Sequence, residues 1–173
     1  MTTKSQATIE DLYNVPENRK AEIVNEELIL MAPTGFWPNR ASFNITLSLR
    51  EYERDTKVGF AVSDNAGFKV TLPNRESFSP DAAFYTGKPT GMKFLEGALV
   101  FAVEVRSEND YGPTAEKERA KKRADYFAAG TIVVWVTDLL GDDVVKSYRV
   151  DDPHNPRVFR RGDIADAEPA LPG

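Results

Sequence analysis

The sequence predicts an α/β or α+β fold in which helices cover a mixed β-sheet. Two apolar runs, Ala98–Val105 and Thr131–Thr137, carry this prediction, because continuous apolar runs of this length are typical of strands buried on both faces. The segment between them, Thr114–Ala129, has a helical composition and is followed by Gly130, a residue that commonly ends helices. Two buried strands joined by a helix indicate a sheet with helices on its faces.

The N-terminal segment predicts a short helix and then a β-hairpin. Thr8-Ile9-Glu10-Asp11 has a capping pattern that opens a helix, and this helix should end before Pro16. The runs Ala21–Val24 and Glu27–Met31 flank Asn25-Glu26, and this arrangement predicts two strands joined by a tight turn.

The remaining elements follow from apolar spacing and from breaker residues. A helical apolar stripe predicts a helix from Pro38 to about Arg54, with Pro38 in its first turn. A turn that contains Pro153 and Pro156 should separate the last two strands. The further predicted strands are Phe60–Val62, Gly67–Leu72, Ser79–Tyr85, Val144–Val150 and Arg157–Arg161.

Length and residue usage bound the chemistry. The 173 residues are expected to form one domain, 1–173. With no cysteine and with His154 as the only histidine, one chain cannot provide a four-cysteine, mixed cysteine–histidine or three-histidine zinc site. A disulfide framework and a cysteine nucleophile are excluded as well. Any metal should therefore have oxygen ligands, which indicates Mg²⁺, Mn²⁺ or Ca²⁺.

Charge and hydropathy indicate the environment of the protein. The net charge of −5 and the pI near 5.0 argue against coating of nucleic acid by bulk charge, although a local basic patch is still compatible with them. The apolar runs are far shorter than the roughly 20 residues that a bilayer requires, and the N-terminus has no apolar signal core. We expect a cytoplasmic protein that does not enter the membrane.

Two carboxylates stand out as candidate site residues. Glu104 lies at the end of the most apolar strand, where a charge is costly unless it is paired or binds a cation; the plain alternative is a salt bridge to a basic neighbour such as Arg106. Asp81 follows Pro80, and its plain alternative is an exposed carboxylate at a strand edge. If the two strands lie side by side, the pair matches the oxygen ligands of an Mg²⁺ ion that also binds a substrate phosphate.

The charged helix after Glu104 offers cations. One interpretation is a solvated face held by ion pairs, and the other is a cation aimed at phosphate. Ala120, Ala124 and Phe127 form one apolar stripe, whereas Lys122 and Tyr126 share a different line. The residues alone leave three candidates: Lys121, Lys122 and Arg123.

Several motifs in this order resemble one known family. They are Ser79-Pro80-Asp81, Val103-Glu104-Val105-Arg106-Ser107, Lys122-x-x-x-Tyr126-x-x-x-Gly130 and Trp135-Val136-Thr137-Asp138. Together the motifs resemble the Uma-two family, whose members are described as restriction endonucleases within the P-D…(D/E)-x-K nuclease superfamily. The resemblance implies a restriction-endonuclease-like core and makes Asp81 and Glu104 the expected ligands of Mg²⁺ or Mn²⁺.

The resemblance also selects among the cations. The superfamily lysine usually lies two residues after the acid, where this chain has Arg106, whose pKa is too high for a base although its charge could stabilise an anion. Family members often supply the lysine from the following helix, four residues before a tyrosine, which implies Lys122. Glu22 matches a recurrent family glutamate and could add a ligand or hold metal-bound water; an exposed carboxylate at a strand end is the alternative.

The sequence therefore supports two hypotheses. The first is an Mg²⁺- or Mn²⁺-dependent endonuclease acting on DNA, in which Asp81 and Glu104 bind the metal, Lys122 positions or activates water and stabilises the transition state, and Glu22 and Arg106 assist. The second, favoured by the acidic pI, is an inactive nuclease-fold protein that binds nucleic acid or another protein. A homodimer is compatible with either. The candidate nucleic-acid-binding residues are Lys117, Arg119, Lys121 and Arg123.

Overall fold

A computed structural model describes residues 6–16, 19–97 and 99–173, which contain three helices and eleven strands. The helices are α1 (Ile9–Tyr13), α2 (Phe36–Thr56) and α3 (Pro113–Ala129). The strands are β1 (Lys20–Val24), β2 (Glu27–Met31), β3 (Phe60–Ser63), β4 (Phe68–Leu72), β5 (Arg75–Phe78), β6 (Ala82–Tyr85), β7 (Leu95–Glu96), β8 (Phe101–Val105), β9 (Val133–Asp138), β10 (Val144–Arg149) and β11 (Asp152–Arg160). No helix among these described residues is long and apolar enough to cross a bilayer.

The helix ends follow the local signals. Thr8 caps α1, since its hydroxyl accepts from the Asp11 N–H while the Asp11 carboxylate accepts from the Thr8 N–H. Helix α3 ends at Gly130, whose φ of 108° suits glycine because other residues would be strained there. The predicted starts and ends of the helices are confirmed to within about two residues.

A five-stranded sheet has the order β2-β1-β5-β4-β7, in which only β4 and β7 run parallel among the described residues. The hairpin β1–β2 is confirmed, and its turn places Asn25 and Glu26 at φ 49° and 63°, as a two-residue hairpin turn requires. Strand β5 was not predicted, because Pro73-Asn74 indicates the end of a strand and the four residues that follow include one apolar side chain.

A six-stranded sheet has the order β11-β10-β9-β8-β6-β3. Strands β8 and β9 run parallel and are joined through α3, the crossover that a parallel pair needs. Phe101, Ala102 and Val103 are each 0% exposed, so the predicted burial of this strand on both faces is confirmed. The first residue of the predicted run, Ala98, lies outside the described residues. The mixed sheet flanked by helices is confirmed, and its strands divide into two sheets.

The predicted turn with Pro153 and Pro156 is wrong. Both prolines lie inside β11, and the turn falls earlier, because Arg149 of β10 pairs with Asp152 of β11. Strand β11 is an edge strand, where a missing proline N–H costs no hydrogen bond on the open side.

Side-chain alternation on β6 and β8 divides the core into two layers. Ala82, Phe84, Phe101 and Val103 pack with Leu49 of α2 on one face of the six-stranded sheet. The residues between them, Ala83, Tyr85 and Ala102, pack with Phe68 and Phe78 of the other sheet and with Tyr126 of α3. Because side chains alternate with a period of two, Asp81 and Glu104 belong to this second face.

Helix α3 buries its apolar stripe only in part, because Phe127 packs partly buried against the core while the two alanines do not. Ala120 and Ala124 are exposed, and the buried residues are Asp125 and Tyr126. The helix packs the side with Lys122, Asp125 and Tyr126 inward because the opposing strands carry charged partners for these residues.

Candidate active site

Asp81 is fixed against the end of β8. Its N–H donates to the Val103 carbonyl at 3.0 Å, and its Oδ2 accepts from the Val105 N–H at 2.7 Å. These two bonds place the carboxylate beside Glu104, which lies between the two bonded residues. The alternative of an exposed carboxylate at a strand edge is wrong, since β6 lies between β3 and β8 and the Asp81 side chain is 23% exposed.

Glu104 is held by residues of α3. Its Oε1 accepts from the Tyr126 hydroxyl at 2.5 Å and lies 2.9 Å from Lys122 Nζ. Glu104 is therefore in a salt bridge with a basic residue, as the alternative predicts, but the partner is Lys122 and not Arg106. Burial raises the pKa of Glu104, the Lys122 charge lowers it, and the negative charges of Asp81 and Glu22 raise it again, so the pKa lies above its usual value.

Lys122 bridges two carboxylates. Its Nζ lies 2.9 Å from Glu104 Oε1 and 2.9 Å from Glu22 Oε1. Burial alone would lower the pKa of Lys122, but the two negative charges outweigh it and raise the pKa. Lys122 is therefore a cation next to the Asp81–Glu104 pair.

Glu22 is buried in the middle of β1, so the alternative of an exposed strand-end carboxylate is wrong. Its Oε1 also accepts from the Ser79 N–H at 2.8 Å, and its Oε2 accepts from Arg75 Nη1 at 2.6 Å. Burial opposes its ionisation, yet the charges of Lys122 and Arg75 prevail and lower the pKa of Glu22. Arg75 links Glu22 to α3, because its Nε donates to Asp125 Oδ2 at 2.8 Å.

Lys20 is a second lysine at the site. Its Nζ lies 2.7 Å from Asp64 Oδ1 and 2.8 Å from Asp81 Oδ1, and its side chain is 14% exposed. Burial alone would lower the pKa of Lys20, but the charges of Asp81, Glu104 and Asp64 raise it above its usual value. Lys20 and Glu22 are two residues apart on β1 and so share one face of the strand.

These contacts form two ion-pair networks. The Lys20 network contains Asp64, Lys20 and Asp81. The Lys122 network contains Glu104, Lys122, Glu22, Arg75 and Asp125. In each network carboxylates alternate with cations, and carboxylates stand at both ends. With every side chain ionised, each network has one formal negative charge in excess, and the two networks adjoin at Asp81 and Glu104.

The donor set at this junction suits a hard divalent cation. Asp81 and Glu104 offer carboxylate oxygens, and two excess negative charges match the charge of Mg²⁺ or Mn²⁺. Over the residues that the structure describes, no group of three or more His, Asp or Glu side chains forms a closed metal cage. Mg²⁺ commonly binds through one or two carboxylates and completes its shell with water and substrate oxygens, so the pair fits that mode.

Arg106 does not join these contacts. Its guanidinium donates to the Asp110 carbonyl at 2.7 Å, pairs with Glu116 and lies 3.7 Å from Asp138 Oδ2. It also stacks on the Tyr111 ring with its Cζ 4.0 Å from the centroid. The side chain fastens the loop after β8 to α3 and β9.

The four candidate nucleic-acid-binding residues differ in their surroundings. Arg119 pairs with Asp110 at 2.7 Å and is 13% exposed, and Arg123 lies over the Tyr148 ring at 3.9 Å. Lys121 is 59% exposed and pairs with Glu118, and Lys117 is exposed. The cations of α3 that face solvent are thus mainly lysines, while the two arginines serve packing.

Asp138, next to Arg106, gives a pH prediction. Burial opposes its ionisation, but the Tyr111 hydroxyl and the N–H groups of Gly141, Asp142 and Leu140 donate to it and lower its pKa to about 2. Because the folded pKa lies below the unfolded value, the stabilisation is complete above about pH 4 and is lost as the pH falls towards 2. Asp138→Asn should lower the free energy of unfolding at pH 7 by about 2 kcal/mol.

Urea denaturation between pH 2.5 and 7 measures this effect. The difference between the wild type and Asp138→Asn should shrink as the pH falls below 4, whereas a constant difference would assign the loss to packing. Asp151→Asn is the control, since the Asp151 side chain is 71% exposed; it should change the free energy of unfolding by less than about 0.5 kcal/mol.

Three residues of the site escape prediction from sequence. Lys20 precedes the apolar hairpin residues, although its spacing from Glu22 indicates a shared face. Arg75 and Asp125 carry no local signal, because their partners lie 50 or more residues away along the chain.

Comparisons with known proteins agree with this architecture. The model of the Uma2 family, described as "Putative restriction endonuclease", matches residues 7–173. No curated protein matches the sequence. Among solved structures, a "putative nuclease belonging to DUF820" from Anabaena variabilis ATCC 29413 matches with a TM-score of 0.70 and 17% identity, over 95% of this chain and 90% of that chain. At this identity the likeness shows a shared fold. The match of the family model over residues 7–173 confirms the resemblance seen in the sequence: the chain belongs to the Uma2 family of restriction-endonuclease-like proteins.

Proposed function

We propose that this protein is a metal-dependent endonuclease that hydrolyses phosphodiester bonds of DNA. One observation carries the proposal: two ion-pair networks, each with one excess negative charge, adjoin at the carboxylates of Asp81 and Glu104. An excess of negative charge in a partly buried site is unfavourable unless a cation compensates it. Membership of a family described as restriction endonucleases supports nuclease chemistry and DNA as the substrate.

Asp81 and Glu104 are the residues that would hold Mg²⁺ or Mn²⁺. When bound, such an ion supplies Lewis-acid chemistry, which polarises a phosphodiester and favours ionisation of water. The chain prepares these ligands in advance: the Val105 N–H orients Asp81, and the Tyr126 hydroxyl orients Glu104. Oriented ligands of this kind reduce the cost of arranging the site during the reaction.

Lys122 would stabilise the negative charge that develops on the phosphate. Its ammonium lies 2.9 Å from Glu104 Oε1, so it would lie close to a phosphate that shares a metal ion with Asp81 and Glu104. Glu22 holds this ammonium from the other side, and Arg75 and Ser79 in turn fix Glu22. Glu22 thus acts as a positioning residue for Lys122.

DNA would approach along α3, the helix that carries Lys122. Lys117 and Lys121 face solvent on that helix and would contact backbone phosphates. Since the whole protein has a net charge of −5, few such contacts are available and binding should weaken steeply as salt is added.

Cleavage of supercoiled plasmid in the presence of Mn²⁺ tests the proposal. The wild type should nick or linearise the plasmid, and Asp81→Asn should reduce the rate at least about 100-fold, an effect typical of removing one charged group from a catalytic site. Asparagine can still accept from the Val105 N–H, so circular dichroism should show a folded variant. Equal rates for the two proteins, or no cleavage by the wild type with either Mn²⁺ or Mg²⁺, would contradict the proposal. Linear DNA and single-stranded RNA serve as comparison substrates.

A further inference from the structure

We infer that Lys20 is a placeholder cation: its ammonium pairs with Asp81 and must leave that carboxylate when a divalent ion binds there. This inference rests on the proposed metal site. Lys20 is not one of the catalytic residues predicted from the sequence, which are Asp81, Glu104 and Lys122.

The two candidate ligands differ in how freely an ion can reach them. Both oxygens of Asp81 are engaged, Oδ1 by Lys20 Nζ at 2.8 Å and Oδ2 by the Val105 N–H at 2.7 Å. Glu104 binds both Lys122 and the Tyr126 hydroxyl through Oε1, and Oε2 receives no hydrogen bond from the described residues. An ion can therefore approach Glu104 at Oε2, the oxygen that neither Lys122 nor Tyr126 contacts, whereas neither oxygen of Asp81 is unengaged and Oδ1 is paired with an ammonium.

Charge repulsion makes the two cations at Asp81 exclude each other. An ion bound to Asp81 would stand a few ångströms from an ammonium that keeps its present position, and like charges at that distance repel strongly in a partly buried site. The backbone bond to Oδ2 carries no positive charge and need not break. Lys20 is the contact that has to give way.

Asp64 makes this displacement feasible. It already binds Lys20 Nζ at 2.7 Å, so Lys20 keeps an ion-pair partner after it releases Asp81. The Asp64 side chain is 36% exposed, against 23% for Asp81. An ammonium that pairs with Asp64 alone would therefore be more accessible to water than one that pairs with Asp81. Asp64 should therefore favour metal binding although it is not a ligand.

Binding of Mn²⁺ alone, followed by the electron paramagnetic resonance signal of the free ion, tests the inference without any measurement of cleavage. Lys20→Met should bind Mn²⁺ about 5- to 100-fold more tightly than the wild type, the range usual for coupling between two bound groups. Lys20→Arg, which keeps the charge, should bind no more tightly than the wild type. Lys146→Met is the matched control, because Lys146 also pairs with an aspartate, Asp142, at 3.1 Å and its loss changes the net charge equally.

Asp64→Asn provides a second test with the opposite sign. Without Asp64, the ion pair that Lys20 keeps among the described residues is the one with Asp81, so Mn²⁺ should bind more weakly than it does to the wild type. Asp142→Asn removes the aspartate partner of Lys146 and controls for the change in net charge. This pair of variants keeps the inference testable if Lys20→Met does not fold.

The outcomes separate the inference from the function on which it rests. Tighter binding by Lys20→Met together with weaker binding by Asp64→Asn, with both controls unchanged, supports the placeholder role. Binding by the wild type that Lys20→Met leaves equal or weakens overturns the role of Lys20 and retains the metal site. Absence of Mn²⁺ binding by every protein overturns the proposed metal site and the role of Lys20 with it.

Discussion

Lys122→Met is expected to reduce Mn²⁺-dependent DNA cleavage about 1,000-fold, the upper range for losing one preorganised group that stabilises transition-state charge. Methionine fills a similar volume but has no charge to offer a phosphate. The carboxylates that Lys122 now bridges keep other partners, since Glu22 retains Arg75 and Ser79 and Glu104 retains Tyr126. The variant should fold, with a lower free energy of unfolding.

The neighbouring lysine provides the control. Lys121 is 59% exposed on the same helix, so Lys121→Met removes the same charge from α3 without touching the site. It should lower affinity for DNA slightly and leave the maximal rate unchanged. Lys122→Met should instead lower the maximal rate and still bind Mn²⁺, because it is not a ligand. A loss of Mn²⁺ binding equal to the loss of rate would make Lys122 a structural support of the metal ligands.

Local patterns predict the helices and the strands that carry Asp81 and Glu104. The apolar run around Phe101 allows one interpretation, a strand buried on both faces, and the burial of that strand is what makes the charge of Glu104 conspicuous. The family resemblance then selects Lys122 among three candidates on α3. Its contacts with Glu104 and Glu22 agree with that choice, while its catalytic role stays a prediction.

The other half of the site depends on tertiary contacts that no local pattern shows. Lys20 meets Asp81 across 61 residues of sequence, and Arg75 meets Glu22 across 53. Strand β5, which carries Arg75, has little apolar character and depends on the strands beside it. Helix α3 buries Asp125 instead of Ala124 because Arg75, on the opposing sheet, forms an ion pair with Asp125. The position of Arg75 therefore determines which face of the helix packs inward.

Arg75→Met should cause the largest loss of stability among single substitutions around the site. The Arg75 side chain is 5% exposed, and it donates to Glu22 at 2.6 Å and to Asp125 at 2.8 Å. Its guanidinium also lies over the Phe78 ring, with Cζ 4.7 Å from the centroid. Removing the guanidinium deprives the buried carboxylates of Glu22 and Asp125 of a shared positive partner. This loss should lower the free energy of unfolding by about 3–5 kcal/mol.

Urea denaturation at pH 7 measures this loss, and a double variant identifies its cause. If uncompensated charge is responsible, Asp125→Asn should cost much less in the Arg75→Met background than in the wild type, by about 1–3 kcal/mol. Strictly additive losses would assign the effect to the missing contact with Phe78. Arg50→Met is the control, since Arg50 also pairs with a carboxylate, Glu53, but its own side chain is 65% exposed; it should cost less than about 1 kcal/mol. Because Glu22 stands between Arg75 and Lys122, Arg75→Met should also slow cleavage less than Lys122→Met does when both are measured below their melting transitions.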